Sequence, residues 1–156
     1  MDLKELRRVM GHFATGVTVV TTQDGLGAPF GLTANAFASL SLNPPLVLVC
    51  VDKGAQCYGC FAESKLFAVN VLGEGQEDLS RRFATKGDAK FNGISWHRSE
   101  AGVALLDGAI GHIECKVVSS YDGGDHTIYV GEVLSAAATG GRPLIFFQGK
   151  YHRLPE

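Results

Sequence analysis

The feature that most constrains the fold is the stretch from Gly31 to Asp52, GLTANAFASLSLNPPLVLVCVD. Its second half, Leu46 to Val51, is wholly apolar and follows Asn43-Pro44-Pro45, which breaks the chain. Such a run reads as a buried strand. The first half opens with small and hydroxyl residues (Gly31, Thr33, Ala34, Asn35, Ala36) and then places Ser39 and Ser41 around a turn. Small side chains let a ligand lie against backbone N–H and C=O groups. Hydroxyls two residues apart can donate to phosphate oxygens. The stretch therefore reads in two ways: as the rim of a ligand site held by a rigid strand, or as strand, polar turn and core strand with no ligand.

The flanking chain favours β structure. Asp2 and Glu5 form a capping box, and Leu3, Leu6, Val9, Met10 and Phe13 recur at helical spacing up to the stop at Gly11. This predicts an amphipathic helix that lies as a lid on the core. Residues 16–22 are rich in β-branched side chains, Asp24-Gly25-Leu26-Gly27 is a turn, and residues 30–37 complete a hairpin. A short helix is expected within 54–64, and a strand over 66–72 with Asn70 serving backbone groups. Residues 74–85 read as a helix with Leu79 and Phe83 on one face. Residues 86–96 are mostly polar and predict a mobile surface loop beside a ligand. A hairpin turning at Tyr121-Asp122-Gly123-Gly124-Asp125 joins strands over 109–119 and 127–134, and strands over 142–147 and 150–154 close the chain. About seven strands, mostly in hairpins, with two or three helices, predict a mainly β chain folded as a closed antiparallel barrel rather than a βαβ winding.

At 156 residues the chain suffices for one domain, 1–156, and not for two ordinary ones. A net charge of −2 argues against a broad basic face, so nucleic acid is not an expected partner, and a phosphate-bearing cofactor needs local donors. The charged, amphipathic start does not read as a signal peptide, and no window has the length of a transmembrane helix; both point to the cytoplasm and away from a membrane. There is no G-x-G-x-x-G after a strand, no P-loop, no G-x-S-x-G and no H-E-x-x-H.

Cys57-Tyr58-Gly59-Cys60 has the spacing of a thiol-redox pair or of half a zinc site. A zinc site needs a second ligand pair, which the sequence lacks, so no metal is expected. The alternatives are a thiol-redox protein using Cys57 and Cys60, and ordinary reduced cysteines in a short helix and core.

Gly31-Leu32-Thr33-Ala34-Asn35-Ala36-Phe37, Ser39-Leu40-Ser41 and the run from Pro44 to Asp52 resemble the short-chain flavin reductases, the reductase components of two-component flavin-dependent monooxygenases. Phe67 to Leu72, Leu79 to Ala84, Gly124 to Val133, Pro143-Leu144 and Gly149-Lys150-Tyr151 continue the resemblance over nearly the whole chain. It implies an antiparallel split β-barrel of the FMN-binding type and a homodimer with the flavin site near the interface. It implies an NAD(P)H:flavin oxidoreductase that transfers a hydride from NADH or NADPH to FMN or FAD, the reduced flavin going to a separate monooxygenase. The family's first segment, which follows the isoalloxazine and ribityl chain, corresponds to Thr33, Ala34, Asn35 and Ala36; the family often has Ser in place of Ala36. Ser39 and Ser41 fall at the ribityl or phosphate end, and Gln56, Arg82 and Phe83 are carried over on spacing alone. For Arg82 the alternative is a solvated helix face. His126, in Gly124-Asp125-His126-Thr127, corresponds to a histidine near the nicotinamide.

Hydride transfer asks little of side chains: the donor carbon must lie over the flavin N5, with N–H groups near the carbonyl that gains charge. Thr33 to Ala36 and Cys50, Val51 and Asp52 fit that need, because small residues expose their amides. Lys86 and Lys90 read equally as donors to a 2′-phosphate and as solvated surface lysines. A non-enzymatic FMN-binding module on the same barrel is the second reading of the site.

Overall fold

The structure is a computed structural model that describes residues 1–87 and 89–156. It holds three helices among the described residues: α1 (Leu3–Met10), α2 (Tyr58–Ser64) and α3 (Glu77–Ala84). The strands are β1 (Thr15–Gly16), β2 (Thr18–Gln23), β3 (Pro29–Ala34), β4 (Phe37–Leu42), β5 (Pro45–Asp52), β6 (Leu66–Val71), β7 (Trp96–Arg98), β8 (Ala104–Leu106), β9 (Gly111–Gly123), β10 (His126–Ala138), β11 (Ile145–Phe147) and β12 (Lys150–His152). Seven of them form one antiparallel sheet in the order β3-β2-β6-β9-β10-β5-β4, with a three-stranded sheet β1-β11-β12 and the pair β7-β8 beside it.

Among the described residues no sheet closes on itself, which corrects the expected closed barrel: β3 and β4 are the two ends of the hydrogen-bonded order. The sheet is nevertheless strongly curled. A flat sheet of seven strands would hold its edges roughly 29 Å apart. Here the two edges are consecutive in sequence, with Asn35 and Ala36 alone between Ala34 and Phe37, a step of at most about 11 Å. The Cys50 N–H donates to the Ala36 carbonyl at 3.0 Å and ties that crossing to β5. The mainly β class stands; hydrogen-bonded closure does not.

The curl divides the interior in two. Val20, Val47, Val49, Val51, Phe61 and Phe67 pack on one side with α2, where Phe61 stacks on Tyr129 at 4.9 Å. Val17, Val19, Leu72, Phe83, Leu106 and Leu144 pack on the other with α3. β2 lies between the two and is buried on both faces. Its threonines survive burial because each hydroxyl donates to a carbonyl: Thr18 to Ala34 at 2.6 Å, Thr21 to Ala104 at 2.6 Å and Thr22 to Leu66 at 2.8 Å. Asn70 behaves as expected: its amide donates to the Val19 carbonyl and the Thr21 hydroxyl, and accepts from the Leu106 N–H. Gly131 cannot carry a side chain, since a Cβ there would stand 2.5 Å from the Phe67 ring and 2.7 Å from Cys115.

Three local expectations are corrected. The strand expected over 30–37 is two strands, because the chain crosses between sheet edges at Asn35-Ala36. Ser39 and Ser41 lie within β4, opposite Val47 and Leu46, and the turn comes after them. α1 is not a lid: none of its residues is buried, and Leu3, Leu6, Val9 and Met10 are exposed. Just beyond its C-terminal end it is anchored where the Gln148 N–H donates to the Gly11 carbonyl and the Gln148 amide meets His12. No helix among the described residues is long and apolar enough to cross a membrane.

Candidate functional site

Three joined clefts run along β3. The middle one, about 350 Å³, is lined by Gly31, Leu32 and Thr33 of β3, by Asp52 and the turn Gly54 to Cys57, by Phe83 to Lys86, and by Lys90. Through Gly31, Gln56, Cys57 and Lys90 it opens into a cleft of about 480 Å³ walled by Phe30, Phe91 and Trp96. Through Thr33 and Ala84 it meets a cleft of about 200 Å³ that holds Asn35, Ser80, Phe146 and Tyr151.

Local chemistry sets these walls. Gly31 allows the Phe83 ring to lie on β3; a Cβ would stand 2.9 Å from two ring atoms. Thr33 Oγ1 donates to the Ser80 carbonyl at 2.6 Å, tying β3 to α3. Its hydroxyl is thus engaged. The Asp52 carboxylate accepts from the Gly54 N–H at 2.8 Å and shapes the turn that presents Ala55 and Gln56. Lys90 reaches the joint of two clefts, with its ammonium 3.4 and 3.5 Å from the Phe83 and Gly31 carbonyls. Burial there lowers its pKa from the usual lysine range.

His126 opens β10 in register with Asp52. Its Nδ1 lies 2.7 Å from the Asp125 carboxylate, which is acceptor-only when ionised and so takes the Nδ1 proton. The hydrogen bond from His126 holds the Asp125 carboxyl below the usual range. Nε2 is then the ring nitrogen left to face a ligand. The Lys53 N–H donates to the Asp125 carbonyl at 2.9 Å, which pins the hairpin tip to the end of β5. His126 therefore stands at the Asp52 rim of the middle cleft rather than inside it.

Of the candidates, Thr33, Asn35, Asp52, Gln56 and Phe83 line the joined clefts. Ala34 and Ala36 flank Asn35; Ala34 is core, with its carbonyl engaged by Thr18, and Ala36 is exposed. Ser39, Ser41, Cys50 and Val51 line none of the three clefts, since β4 runs away from the crossing and Val51 points into the core. The Cys50 amide is not a free donor, because Ala36 takes it. Arg82 faces the other way: its guanidinium donates to the carbonyls of Lys90 at 3.3 Å and Asn92 at 2.6 Å, and so fastens the 86–96 stretch to α3.

That stretch is anchored rather than loose. Phe91 packs edge-on against Phe83 at 5.1 Å and against Trp96 at 5.4 Å. Asp88, within it, lies outside the described residues. Phe91 and Trp96 as cleft walls escaped the sequence analysis; the available signal was two large aromatics in an otherwise polar stretch. Lys90 entered only as a candidate for a 2′-phosphate.

The thiol-redox alternative fails on environment. Cys57 is 2% and Cys60 8% exposed, and burial pushes the Cys57 thiol up to about 11 and raises Cys60 as well. A redox thiol needs the opposite shift.

The profile of the flavin reductase like domain matches residues 10–155. The chain belongs to the flavin reductase-like family. It is 42% identical over 152 residues to the reductase subunit HsaB of a flavin-dependent monooxygenase of Rhodococcus jostii, covering 97% of this chain and 77% of that protein. It is 44% identical over 158 residues to an NADH-dependent FAD reductase of Streptomyces globisporus, covering 97% and 86%. Among solved structures, the Streptomyces globisporus NADH:FAD oxidoreductase SgcE6 in complex with NAD and FAD fragments superposes with a TM-score of 0.93 at 43% identity, covering 99% and 93%. The flavin reductase PheA2 superposes with a TM-score of 0.91 at 42% identity over the full length of both chains.

Proposed function

We propose that this flavin reductase-like chain is an NAD(P)H:flavin oxidoreductase that delivers a hydride from NADH or NADPH to FMN or FAD and supplies the reduced flavin to a separate monooxygenase. The observation that carries the reading is the middle cleft. It gathers Thr33, Asp52, Gln56 and Phe83 from three separate parts of the chain, and the chain's relatives are named as reductases of this kind. The residues fit a flavin. The cleft is within the size range of small-molecule sites (roughly 300–1,000 Å³) and is lined by small residues on one side, by Phe83 on another and by an ammonium at the far end.

When bound, the flavin supplies the hydride acceptor. The chain's own residues position and shield. Thr33 and Asn35 lie along the ring, Asp52 and the 54–57 turn bound one side, and Lys90 meets phosphate charge. His126 offers Nε2 at the rim to hold the nicotinamide carboxamide, with Asp125 fixing its tautomer. No residue is required to transfer a proton in the hydride step.

Purified protein with NADH and excess FMN or FAD will lose NADH absorbance at about 340 nm. Tight yellow protein without turnover would favour the non-enzymatic module instead. The reading extends to a single domain over 1–156, supported by one family profile spanning 10–155. It places the protein in the cytoplasm, supported by four free cysteines. It also includes a homodimer, supported by the uncovered apolar face of α1 together with the exposed Phe13.

A further inference from the structure

The β9–β10 hairpin and α2 enclose a cavity of about 600 Å³ that shares no lining residue with the three clefts along β3. Its wall is aromatic: Phe61 stacks on Tyr129 at 4.9 Å, and the Tyr58 ring lies 6.4 Å from that of Tyr129. The Tyr58 and Thr127 hydroxyls share one hydrogen bond at 2.7 Å. Together they carry two protons, so that bond does not use up their donors. Burial, and after it the neighbouring Tyr58, pushes the Tyr129 hydroxyl up to about 12, so it stays a neutral phenol. Charge enters through Lys53, Lys65 and Asp122, two ammoniums and one carboxylate, which leaves the lining one positive charge in excess. Asp122 is already bonded to Lys53, and Lys65 forms no ion pair among the described residues. Lys65 also holds the left-handed C-cap of α2, with φ +57°, a position that glycine fills with less strain. A strained backbone position that carries a lysine instead of a glycine points to a use for its side chain.

Resting on the flavin reductase reading, we infer that this cavity binds a small aromatic carboxylate and that its occupancy weakens the hold on NADH. A flat ring suits the tyrosine and phenylalanine wall. A single negative charge matches the excess positive charge and supplies the counter-ion that Lys65 lacks, while carboxylate oxygens accept from a hydroxyl. The volume lies within the range of small-molecule sites, roughly 300–1,000 Å³. Three pairs of adjacent residues join this cavity to the reaction site. Lys53 and Tyr58 line the cavity, and their neighbours Asp52 and Cys57 line the middle cleft. Thr127 lines the cavity, and its neighbour His126 stands in register with Asp52 at the cleft rim. A carboxylate that draws on Lys53 competes with Asp122 for it. The Lys53–Asp122 pair acts with the Lys53 N–H, which donates to the Asp125 carbonyl, to tie the hairpin tip to the end of β5. Loosening that tie lowers the positional order of His126, and the nicotinamide is then held less well.

Isothermal titration calorimetry with benzoate is the direct test, with benzamide and cyclohexanecarboxylate as probes that lack the charge and the aromatic ring. The wild type will bind benzoate roughly tenfold more tightly than either. Lys65→Gly removes the charge and eases the backbone, so it will lower benzoate affinity roughly tenfold without lowering Tm. Ala62→Trp fills the cavity from an exposed position on α2 and will abolish binding. With FMN as acceptor, saturating benzoate will raise the KM for NADH roughly threefold in the wild type and will have no effect in Ala62→Trp. No benzoate binding, or equal binding by the wild type and both variants, would overturn the inference. So would displacement of benzoate by FMN, which would place it in the clefts along β3. Binding in the cavity beside an unchanged KM would overturn the link to NADH. A wild type that binds benzoate in this cavity yet reduces no FMN with NADH is a different failure, that of the reductase reading itself.

Discussion

His126 is the residue whose placement says most about how a nicotinamide would be held. It pairs across the sheet with Asp52 and shares a hydrogen bond with Asp125, so its ring is oriented at the rim of the middle cleft without filling it. If its role is to position the nicotinamide, His126→Ala will leave flavin affinity unchanged and lower the hydride-transfer rate, or raise the KM for NADH, by roughly tenfold to a hundredfold, about 1.4–2.7 kcal/mol. Stopped-flow flavin reduction measures both quantities, and partial recovery in His126→Asn would show that a neutral hydrogen bond suffices. Wild-type kinetics in His126→Ala would remove it from the site. Two buried cysteines make a separate prediction. Burial raises Cys57 to about 11 and Cys115 to about 12, so the folded state keeps these protons after the unfolded chain has released them. Their stabilising contribution is complete below about pH 9, the unfolded value, and is lost as pH rises towards 11–12. Thermal melts across that interval will show a falling Tm, and Cys57→Ala will flatten part of the fall.

At the scale of elements, α1 and the 86–96 stretch are held in opposite ways. The 86–96 stretch looks polar in sequence yet is fastened from both sides, by Arg82 on its carbonyls and by the chain of rings Phe83, Phe91 and Trp96. α1 has the better apolar pattern and buries nothing in its own chain. Leu3, Leu6, Val9 and Met10 are each more than two-fifths exposed, and Phe13 just beyond the helix is 74% exposed. An amphipathic helix with such a face is stabilised by packing against a partner surface. A second copy of this chain is the partner proposed here. Leu6→Asp combined with Phe13→Asp will therefore shift the protein to a monomer in sedimentation or light scattering at micromolar concentration. A wild type that is already monomeric, or a doubly substituted dimer, would refute that assignment.

The molecule as a whole depends on β2 as its central wall, and Asn70 is the side chain that locks three elements to one another. It is fully buried on β6 and bonds to Val19 and Thr21 of β2 and to Leu106 of β8. Removing it leaves a buried N–H and a buried carbonyl without that partner. Asn70→Ala will cost about 3 kcal/mol. For a chain of this size that is a drop in Tm of roughly 6–12 °C, readable by calorimetry. A loss below about 1 kcal/mol would mean that the freed groups find other partners. The same wall separates the two apolar clusters.

The order of the main strands and the mainly β class were readable from residues alone, because alternation, turn residues and runs of small side chains are local signals. The service of Asn70 to backbone groups was equally readable, since an amide in an apolar strand has no other way to be buried. Sheet closure was not: whether β3 and β4 bond across the gap depends on how far the sheet curls, which is set by all seven strands together. Nor could spacing tell that Arg82 turns to the loop, that Ser39 and Ser41 run away from the site, or that α1 stays uncovered. Those are questions of which surfaces meet, and they are settled by the packing of elements distant in sequence. The joined clefts have the same origin: Gly31, Gln56, Phe83 and Lys90 come together only when the sheet edge, the β5–α2 turn and the α3 loop converge on β3.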